Sequence, residues 1–149
     1  MHDAESIAVM AVKLFEEIMH IIGSRYFTSD LEKTLSLLKS YLDQGLYTVF
    51  IATSSESRQA IGFISLYESC SLYAEGHFGT IPELYVDPGY RSQRIGEKLL
   101  AEAKVFGREK GWTRLEVTTP PLPQFDRSLQ FYQTQGFEIT GGRKMKVSL

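Results

Sequence analysis

A loop in the middle of the chain has the residue types and spacing that bind an anion. The stretch from Pro82 to Leu100 reads P-E-L-Y-V-D-P-G-Y-R-S-Q-R-I-G-E-K-L-L, and its apolar strand breaks at Asp87-Pro88-Gly89 before a helix begins. Backbone amides from about Arg91 to Gly96 would then point at one anion at the positive end of the helix, which binds phosphate without a particular side chain. The sequence therefore predicts a phosphate-sized site in this loop.

Apolar patterning predicts the two elements that flank the loop. The strand ends at Asp87, and the helix runs from about Gln93 to Lys110, where Gly111 ends it. A loop from Ser69 to Gly79 is predicted to precede the strand. The anion site would thus lie between a strand end and a helix start.

Two helices and a hairpin are predicted in the N-terminal half. Apolar residues recur at helical spacing in the first segment, and Ser29 or Asp30 can cap the second helix, which Gly45 closes. The two strands are short and rich in β-formers, and a polar stretch separates them. The predicted spans are Ser6–Ile22, Asp30–Gly45, Leu46–Ala52 and Ile61–Tyr67.

A strand, a short helix and a closing hairpin are predicted in the C-terminal part. The strand at Thr113–Thr118 is followed by three prolines that forbid regular structure until about Phe125. The short helix is D-R-S-L-Q-F-Y-Q-T-Q, and the hairpin pairs Phe137–Thr140 with Lys144–Ser148 through Gly141-Gly142.

Composition favours an ordinary globular protein with one domain over residues 1–149. Hydrophobic residues make up 43% and charged residues 23%, and the net charge of −2 argues against a nucleic-acid partner held by a general positive field. Cys70 is the only cysteine, so we expect no disulfide and no thiolate metal cluster, and we expect Cys70 to be buried. The acidic start and the absence of a long apolar run predict a cytoplasmic protein without a membrane span.

Two motifs in this chain match those of a known family in both order and separation. The first is a strand, Val-x-Pro-x-Tyr-Arg and then [Gln/Arg]-x-x-Gly-x-[Gly/Ala] opening a helix, and the second is F-Y-x-x-x-G-F. The matching residues are Val86, Pro88, Tyr90, Arg91 and Gly96, followed by Phe131, Tyr132, Gly136 and Phe137. On these residues the chain resembles the GNAT superfamily of acetyl-CoA-dependent N-acetyltransferases, most specifically from Glu83 to Phe137.

The resemblance implies both a fold and a cosubstrate. The fold is α/β, with a mixed and mostly antiparallel sheet of about six strands flanked by about four helices, and the first family strand has no room before Ser6. Acetyl-CoA would lie beside the strand at Leu84, Tyr85 and Val86, with its pantetheine paired to the backbone. Its pyrophosphate would lie in the loop of Arg91, Ser92, Gln93, Arg94, Ile95 and Gly96. For the arginine side chains, a solvated loop charge is the alternative interpretation.

Three side chains depart from the family pattern. Arg94 stands at the first loop glycine, Phe125 replaces an asparagine that often precedes the F-Y tyrosine by seven residues, and Pro82 replaces a frequent Glu. Arg94 would have to approach the pyrophosphate with a non-glycine backbone, although its guanidinium could contact phosphate itself. These departures put cofactor affinity in question more than the fold.

The resemblance also implies two catalytic side chains. Glu83 would accept the proton of the acceptor ammonium, whose pKa is about 10, directly or through water; the alternative is an exposed strand carboxylate in a salt bridge. Tyr132 would protonate the departing thiolate as a neutral phenol, and the alternative is an aromatic that packs beside Phe131. A backbone N–H near Tyr85 or Val86, freed by a strand irregularity, would polarise the carbonyl.

These implications predict an N-acetyltransferase in which an amine attacks acetyl-CoA directly within a ternary complex. We expect the acceptor to be a small-molecule primary amine rather than a protein amine, and we expect no metal. Tyr73, Glu75 and His77, with Tyr26 and Phe27, are candidate lining residues of the acceptor pocket. The alternative function is a weakly catalytic or non-catalytic acyl-CoA sensor of the same fold. Exposed strand edges suggest a homodimer.

Overall fold

Two helices form the N-terminal layer of the computed structural model, which describes residues 2–24 and 30–149. Helix α1 spans His2–Ile22, four residues more than predicted at its start, and α2 spans Leu31–Asp43. The Asp30 carboxylate accepts the Lys33 N–H at 3.2 Å, so Asp30 caps α2. Both helices contribute to one hydrophobic core with the sheet. Ile7 of α1, Leu38 of α2 and Phe63 of the sheet belong to it.

Five strands form a mixed sheet around one long central strand. The strands are β1 (Thr48–Thr53), β2 (Ala60–Ser71), β3 (Gly76–Ile81), β4 (Leu84–Val86) and β5 (Leu115–Val117). Strand β2 pairs antiparallel with β1 on one edge and with both β3 and β4 on the other, and β3 pairs parallel with β5. The sheet therefore has five strands where about six were expected.

The predicted loop from Ser69 to Gly79 is wrong, because most of it belongs to β2 and β3. Only residues 72–75 remain between the two strands. These strand ends carry polar side chains, so hydrophobic alternation does not predict them. The polar side chains pair with each other across the ladder instead of packing in a core. The hydroxyls of Ser69 and Thr80, for example, lie 2.8 Å apart.

One extra residue interrupts the ladder between β3 and β4. Tyr67 lies opposite Thr80 and Ile64 lies opposite Leu84, so two residues of β2 face three residues at positions 81–83. This arrangement is a β-bulge, and it accommodates Pro82, which has no N–H to donate to a ladder. The strand irregularity expected near Tyr85 or Val86 therefore lies earlier in the chain, at positions 81–83.

Helix α3 spans Ile95–Lys110 and packs on the sheet face opposite α1. It buries Leu99, Leu100 and Ala103, and Leu99 lies against Gly62 of β2. Gly111 ends the helix in the left-handed conformation at φ 75°, as predicted. A short 3₁₀ helix at Pro88–Tyr90 connects β4 to the loop before α3.

The chain divides into two compact units, Met1–Thr118 and Thr119–Leu149. In the second unit α4 spans Asp126–Thr134, and Gly136 follows it with φ 95°. The predicted closing hairpin is wrong, because residues 137–149 form no strand and Met145, Val147 and Leu149 are exposed. Alternating apolar residues make a strand only where a neighbouring edge supplies hydrogen bonds. None of the described helices is both long and apolar enough to cross a bilayer.

Candidate active site

Glu83 lies at the bulge and forms the centre of a hydrogen-bonded group on the sheet. Ser65 donates its hydroxyl to Glu83 Oε1 at 2.6 Å, and the Glu83 N–H donates to Ser65 Oγ at 3.1 Å. The Tyr47 hydroxyl lies 3.5 Å from Oε2, at the outer limit of a hydrogen bond. The carboxylate is therefore held by side chains of the sheet, and none of the ion pairs found in the described residues includes it.

Burial raises the pKa of Glu83 above its usual value, and the hydrogen bonds from Ser65 and Tyr47 oppose that rise. A carboxyl group in an apolar setting loses hydration of its charged form, whereas donors stabilise that form. A raised pKa makes a carboxylate a stronger base, which is the property that removal of a proton from an ammonium requires.

A pocket of about 310 Å³ opens on Glu83 within the first unit. Its walls come from α1, α2 and the sheet, and its lining residues are Ile7, Ala11, Phe15, Lys33, Thr34, Leu37, Leu38, Tyr41, Tyr47, Phe63, Ser65 and Glu83. This volume lies at the lower end of the range of small-molecule sites. The carboxylate thus faces a space that fits a small acceptor.

Three tyrosines form an aromatic row beside the pocket. The ring centroids of Tyr41 and Tyr47 are 5.1 Å apart, and those of Tyr47 and Tyr67 are 6.3 Å apart. Burial, followed by the nearby Glu83 carboxylate, raises the pKa of Tyr47 well above its usual value. Tyr47 is therefore a neutral phenol at physiological pH and can donate to Glu83.

The loop before α3 has the backbone conformation of an anion site. Ser92 has φ 69° and Arg94 has φ 63°, so Arg94 adopts the left-handed conformation that the family's glycine reaches without steric cost. The side chain of the N-cap residue Arg94 makes no capping hydrogen bond, and the first N–H groups of a helix have no acceptor within it. Those of Ile95 and Gly96 can therefore serve an anion.

The Arg91 side chain connects this loop to α1 and β4. Its guanidinium donates to both carboxylate oxygens of Glu17, at 2.8 and 2.9 Å, and Nε donates to the Val86 carbonyl at 2.8 Å. Arg91 is thus a paired cation, although its side chain is 42% exposed. Its assignment to the pyrophosphate stays a prediction.

Strand β4 presents one backbone edge away from β2. Ser65 N–H donates to the Glu83 carbonyl, and Asp87 N–H donates to the Ile61 carbonyl, which fixes the alternation of the ladder. The backbone groups of Leu84 and Val86 consequently point away from β2. Among the described strands only β2 pairs with β4. Strand β5 does not reach β4, since its last pair with β3 is Val117 with Ile81. This edge is where the pantetheine was expected to lie.

Tyr132 belongs to the second unit and packs there between two aromatic rings. Its ring centroid lies 5.3 Å from that of Phe131 and 5.4 Å from that of Phe137. Burial raises the pKa of Tyr132 to about 12, so the phenol keeps its proton at neutral pH. Tyr132 thus packs against Phe131, as the alternative interpretation expected. Its role as the general acid stays a prediction.

The other predicted acceptor residues are not gathered at Glu83. Tyr73 and His77 lie at the β2–β3 turn, where Arg114 lies 5.2 Å over the Tyr73 ring and Glu68 lies 3.4 Å from His77 Nδ1. Glu83 follows His77 by six positions along an extended backbone, which is about 20 Å. Glu75 lies in the same turn. Tyr26 and Phe27 lie outside the described residues.

Two further expectations concern cysteine and metal. Cys70 is exposed, so its predicted burial is wrong; it lies on the distal part of β2, beyond the segment with both faces covered. Within residues 2–24 and 30–149, no group of three or more His, Cys, Asp and Glu side chains is arranged to hold a metal ion.

Ser65 and Tyr47 are site residues that sequence reasoning missed. Ser65 is 1% exposed and interrupts the otherwise apolar run I-G-F-I-S-L, and an isolated buried hydroxyl signals a polar partner nearby. Pro82 likewise marks the bulge, because a proline inside a strand requires an interrupted ladder. No comparable signal points to Tyr47, whose role depends on a partner 36 residues away.

A mixed sheet with a bulged strand therefore carries a pocket that opens on one carboxylate, and comparisons with known proteins identify the family. The family model described as acetyltransferase (GNAT) domain matches residues 45–139. An uncharacterized N-acetyltransferase of Bacillus subtilis, YhfO, is 30% identical over 114 residues, covering 76% of this chain and 74% of that protein. The chain belongs to the GNAT family of N-acetyltransferases.

Other relatives carry more specific descriptions. An aminoalkylphosphonate N-acetyltransferase of Salmonella typhimurium is 26% identical over 148 residues, covering 89% of this chain and 95% of that protein. The fold matches an aminoglycoside acetyltransferase from a soil metagenome with a TM-score of 0.69, 23% identity and coverage of 97% and 91%. It also matches AAC(6')-Iy bound to a CoA-S-monomethyl-acetylneamine bisubstrate analog, with a TM-score of 0.67, 21% identity and coverage of 79% and 80%.

Proposed function

We propose that this GNAT enzyme transfers the acetyl group of acetyl-CoA to the primary amine of a small molecule by direct attack in a ternary complex. The observation that carries the proposal is the Glu83 carboxylate, whose pKa is raised and which faces a pocket of about 310 Å³. Relatives described as acting on an aminoalkylphosphonate and on aminoglycosides support a small acceptor over a protein acceptor.

The proposed reaction forms one bond between heavy atoms, N–C, and breaks one, C–S. The neutral amine nitrogen attacks the thioester carbonyl carbon, the N–C bond forms, and the C–S bond breaks to release coenzyme A. Glu83 takes the proton that the ammonium must lose, directly or through water. The phenol of Tyr132 hydrogen-bonds to the departing sulfur and gives it a proton. The nitrogen loses its second proton as the amide forms, and that proton restores the phenol through water, so the products are the amide, the coenzyme A thiol and one proton on Glu83. With a pKa of about 12 this phenol holds its proton tightly, so its contribution is a hydrogen bond to the thiolate before protonation is complete.

The loop and the edge of β4 suit acetyl-CoA as the cosubstrate. The uncapped start of α3 and its left-handed Arg94 fit a pyrophosphate held by backbone amides. The outward N–H and carbonyl of Leu84 and the outward N–H of Val86 fit the amides of pantetheine, because they repeat at the spacing of a strand partner; the Val86 carbonyl already accepts from Arg91 Nε. A cytoplasmic location and a homodimer are proposals that rest on the sequence patterns alone.

The test combines cosubstrate binding with turnover. Acetyl-CoA is expected to raise the melting temperature, and thiol release is expected with at least one primary amine. Glu83→Gln should lower kcat by about 10²–10⁴-fold, whereas Glu56→Gln, on an exposed turn, should leave kcat within about twofold. Full activity in the Glu83→Gln variant would remove Glu83 from the mechanism. Tight acetyl-CoA binding without turnover on any amine would instead establish the sensor alternative.

Tyr132 is tested by removing only its hydroxyl. Tyr132→Phe should lower kcat by about tenfold or more while the Kd for acetyl-CoA changes little, because the hydroxyl acts on the leaving sulfur and not on the bound nucleotide. Unchanged kcat with a verified acceptor would show that Tyr132 serves packing alone.

A further inference from the structure

The pocket has too little negative charge to bind an acceptor with two positive charges. Among its described lining residues Glu83 is the only carboxylate, and the only other charged side chain is Lys33, on the exposed rim at the start of α2. A second ammonium on the acceptor would find no anionic partner there and would meet a like charge. Removing a cation from water without a partner costs far more than an apolar pocket returns.

The rest of the lining is apolar. Ile7, Ala11 and Phe15 of α1 face Leu37 and Leu38 of α2, and Phe63 forms the floor on β2. A pocket of about 310 Å³ with such walls gains most from an acceptor body that carries no charge. The Tyr41 and Tyr47 rings add an aromatic wall near Glu83, where an ammonium group is attracted to ring faces before it loses its proton.

From these features we infer that the acceptor is a primary monoamine carried on an uncharged, apolar body. The inference rests on the proposed acetyl transfer and names its substrate class. Glu83 binds and deprotonates the single amine, and the apolar walls select the body and disfavour a second charge of either sign. Lys33 is exposed on the rim, so it adds only a small repulsion of a second positive charge and a small attraction of a negative one.

Three acceptors of equal length test the inference. n-Hexylamine, 1,5-diaminopentane and 6-aminohexanoate differ only in the group at the far end, which is a methyl, an ammonium or a carboxylate. We expect kcat/KM for n-hexylamine to exceed that for either charged acceptor at least tenfold. From propylamine to hexylamine, kcat/KM should rise about fourfold for each added methylene. An equal or better diamine, an equal or better amino acid, or a flat alkyl series would each overturn the inference.

A matched pair of variants on α2 tests the pocket itself. Leu37 and Leu31 are both 44% exposed, but only Leu37 lines the pocket. Leu37→Glu should raise the kcat/KM ratio of 1,5-diaminopentane to n-hexylamine about tenfold, because it supplies a partner for the second ammonium. Leu31→Glu should leave that ratio within about twofold. Equal effects of the two variants would show that the pocket does not select the acceptor.

Calorimetry separates this inference from the proposed function. The same amines are titrated into protein saturated with coenzyme A, where no acetyl group is present and only binding is measured. If n-hexylamine binds at least tenfold more tightly than the charged acceptors but no amine is acetylated, acetyl transfer fails and the pocket preference stands. If the amines are acetylated but bind in the opposite order, the preference fails and acetyl transfer stands.

Discussion

At the scale of single residues, two opposing effects set the basicity of Glu83. Burial raises its pKa, and the short hydrogen bond from Ser65 limits the rise. Because Ser65 also accepts the Glu83 N–H, one hydroxyl holds both the backbone and the carboxylate of the proposed base. Ser65 therefore acts through Glu83 as a positioning residue.

Ser65→Ala should move the acidic limb of the kcat/KM–pH profile to higher pH. The substitution removes a donor that stabilises the charged carboxylate, so the pKa of Glu83 rises further and a higher pH is needed to form the base. At pH values above the limb, activity should recover to within about threefold of wild type. The readout is the full pH profile with a fixed acceptor.

The control for this prediction is Ser69→Ala. Ser69 lies on the same strand, but its hydroxyl bonds Thr80. This variant should keep the wild-type pH profile. A Ser65→Ala profile that falls in height without moving along the pH axis would show that Ser65 acts on packing and not on the pKa of Glu83.

At the scale of elements, the loop before α3 is held from two sides. Arg91 bonds Glu17 of α1 and the Val86 carbonyl of β4, so the conformation of the proposed pyrophosphate loop depends on a helix more than 70 residues away in sequence. Arg91 can thus affect acetyl-CoA affinity by shaping the loop as well as by its charge.

Glu17→Gln should weaken acetyl-CoA binding about three- to tenfold if Arg91 works by holding the loop, because the bidentate pair is lost while the arginine stays. The free energy of unfolding should fall by about 0.2–1 kcal/mol, as for other partly exposed ion pairs. Binding is measured by calorimetry, and Glu16→Gln, an exposed neighbour on α1, is the control. Unchanged or tighter binding in Glu17→Gln would indicate that Arg91 contacts the phosphates directly.

At the scale of the whole molecule, the proposed base lowers the stability of the fold at neutral pH. The folded-state pKa of Glu83 lies above its value in the unfolded chain, so the native protein keeps the proton to a higher pH. The contribution of this side chain to stability is therefore present below the unfolded pKa and is lost as the pH rises through the folded pKa. The charged form that the proposed base needs is therefore the form that lowers the stability of the fold.

Glu83→Gln should for this reason unfold at higher denaturant concentration than wild type at pH 8, and the difference should shrink as the pH falls towards 4. The neutral amide avoids the desolvation of a charge and can still accept the Ser65 hydroxyl. Denaturation is measured at both pH values, with Glu56→Gln as a surface control. A stability difference that is independent of pH would contradict the raised pKa.

The outcome at each scale shows what a sequence can predict. The GNAT fold, the cap of α2 and the end of α3 were predictable because each depends on local residue patterns such as Asp30, Gly111 and Val86-x-Pro88. The pocket was not predictable, because it depends on contacts between α1, α2 and β2 that lie far apart in sequence. The extent of β2 and β3 was missed because polar cross-strand pairs do not show in hydrophobic periodicity.

The bulge between β3 and β4 also decides on which face of the sheet the Glu83 side chain lies. Without the extra residue the register of β3 would continue and place Glu83 opposite Ile64, on the face of the sheet that α3 covers. With the extra residue, Glu83 lies opposite Ser65 and faces the pocket under α1 and α2. Successive side chains of a strand point to opposite faces, so one residue more or less between Thr80 and Leu84 moves the Glu83 side chain to the other face of the sheet. Deleting one residue here would leave every functional group in the chain and turn the base to the wrong side of the protein.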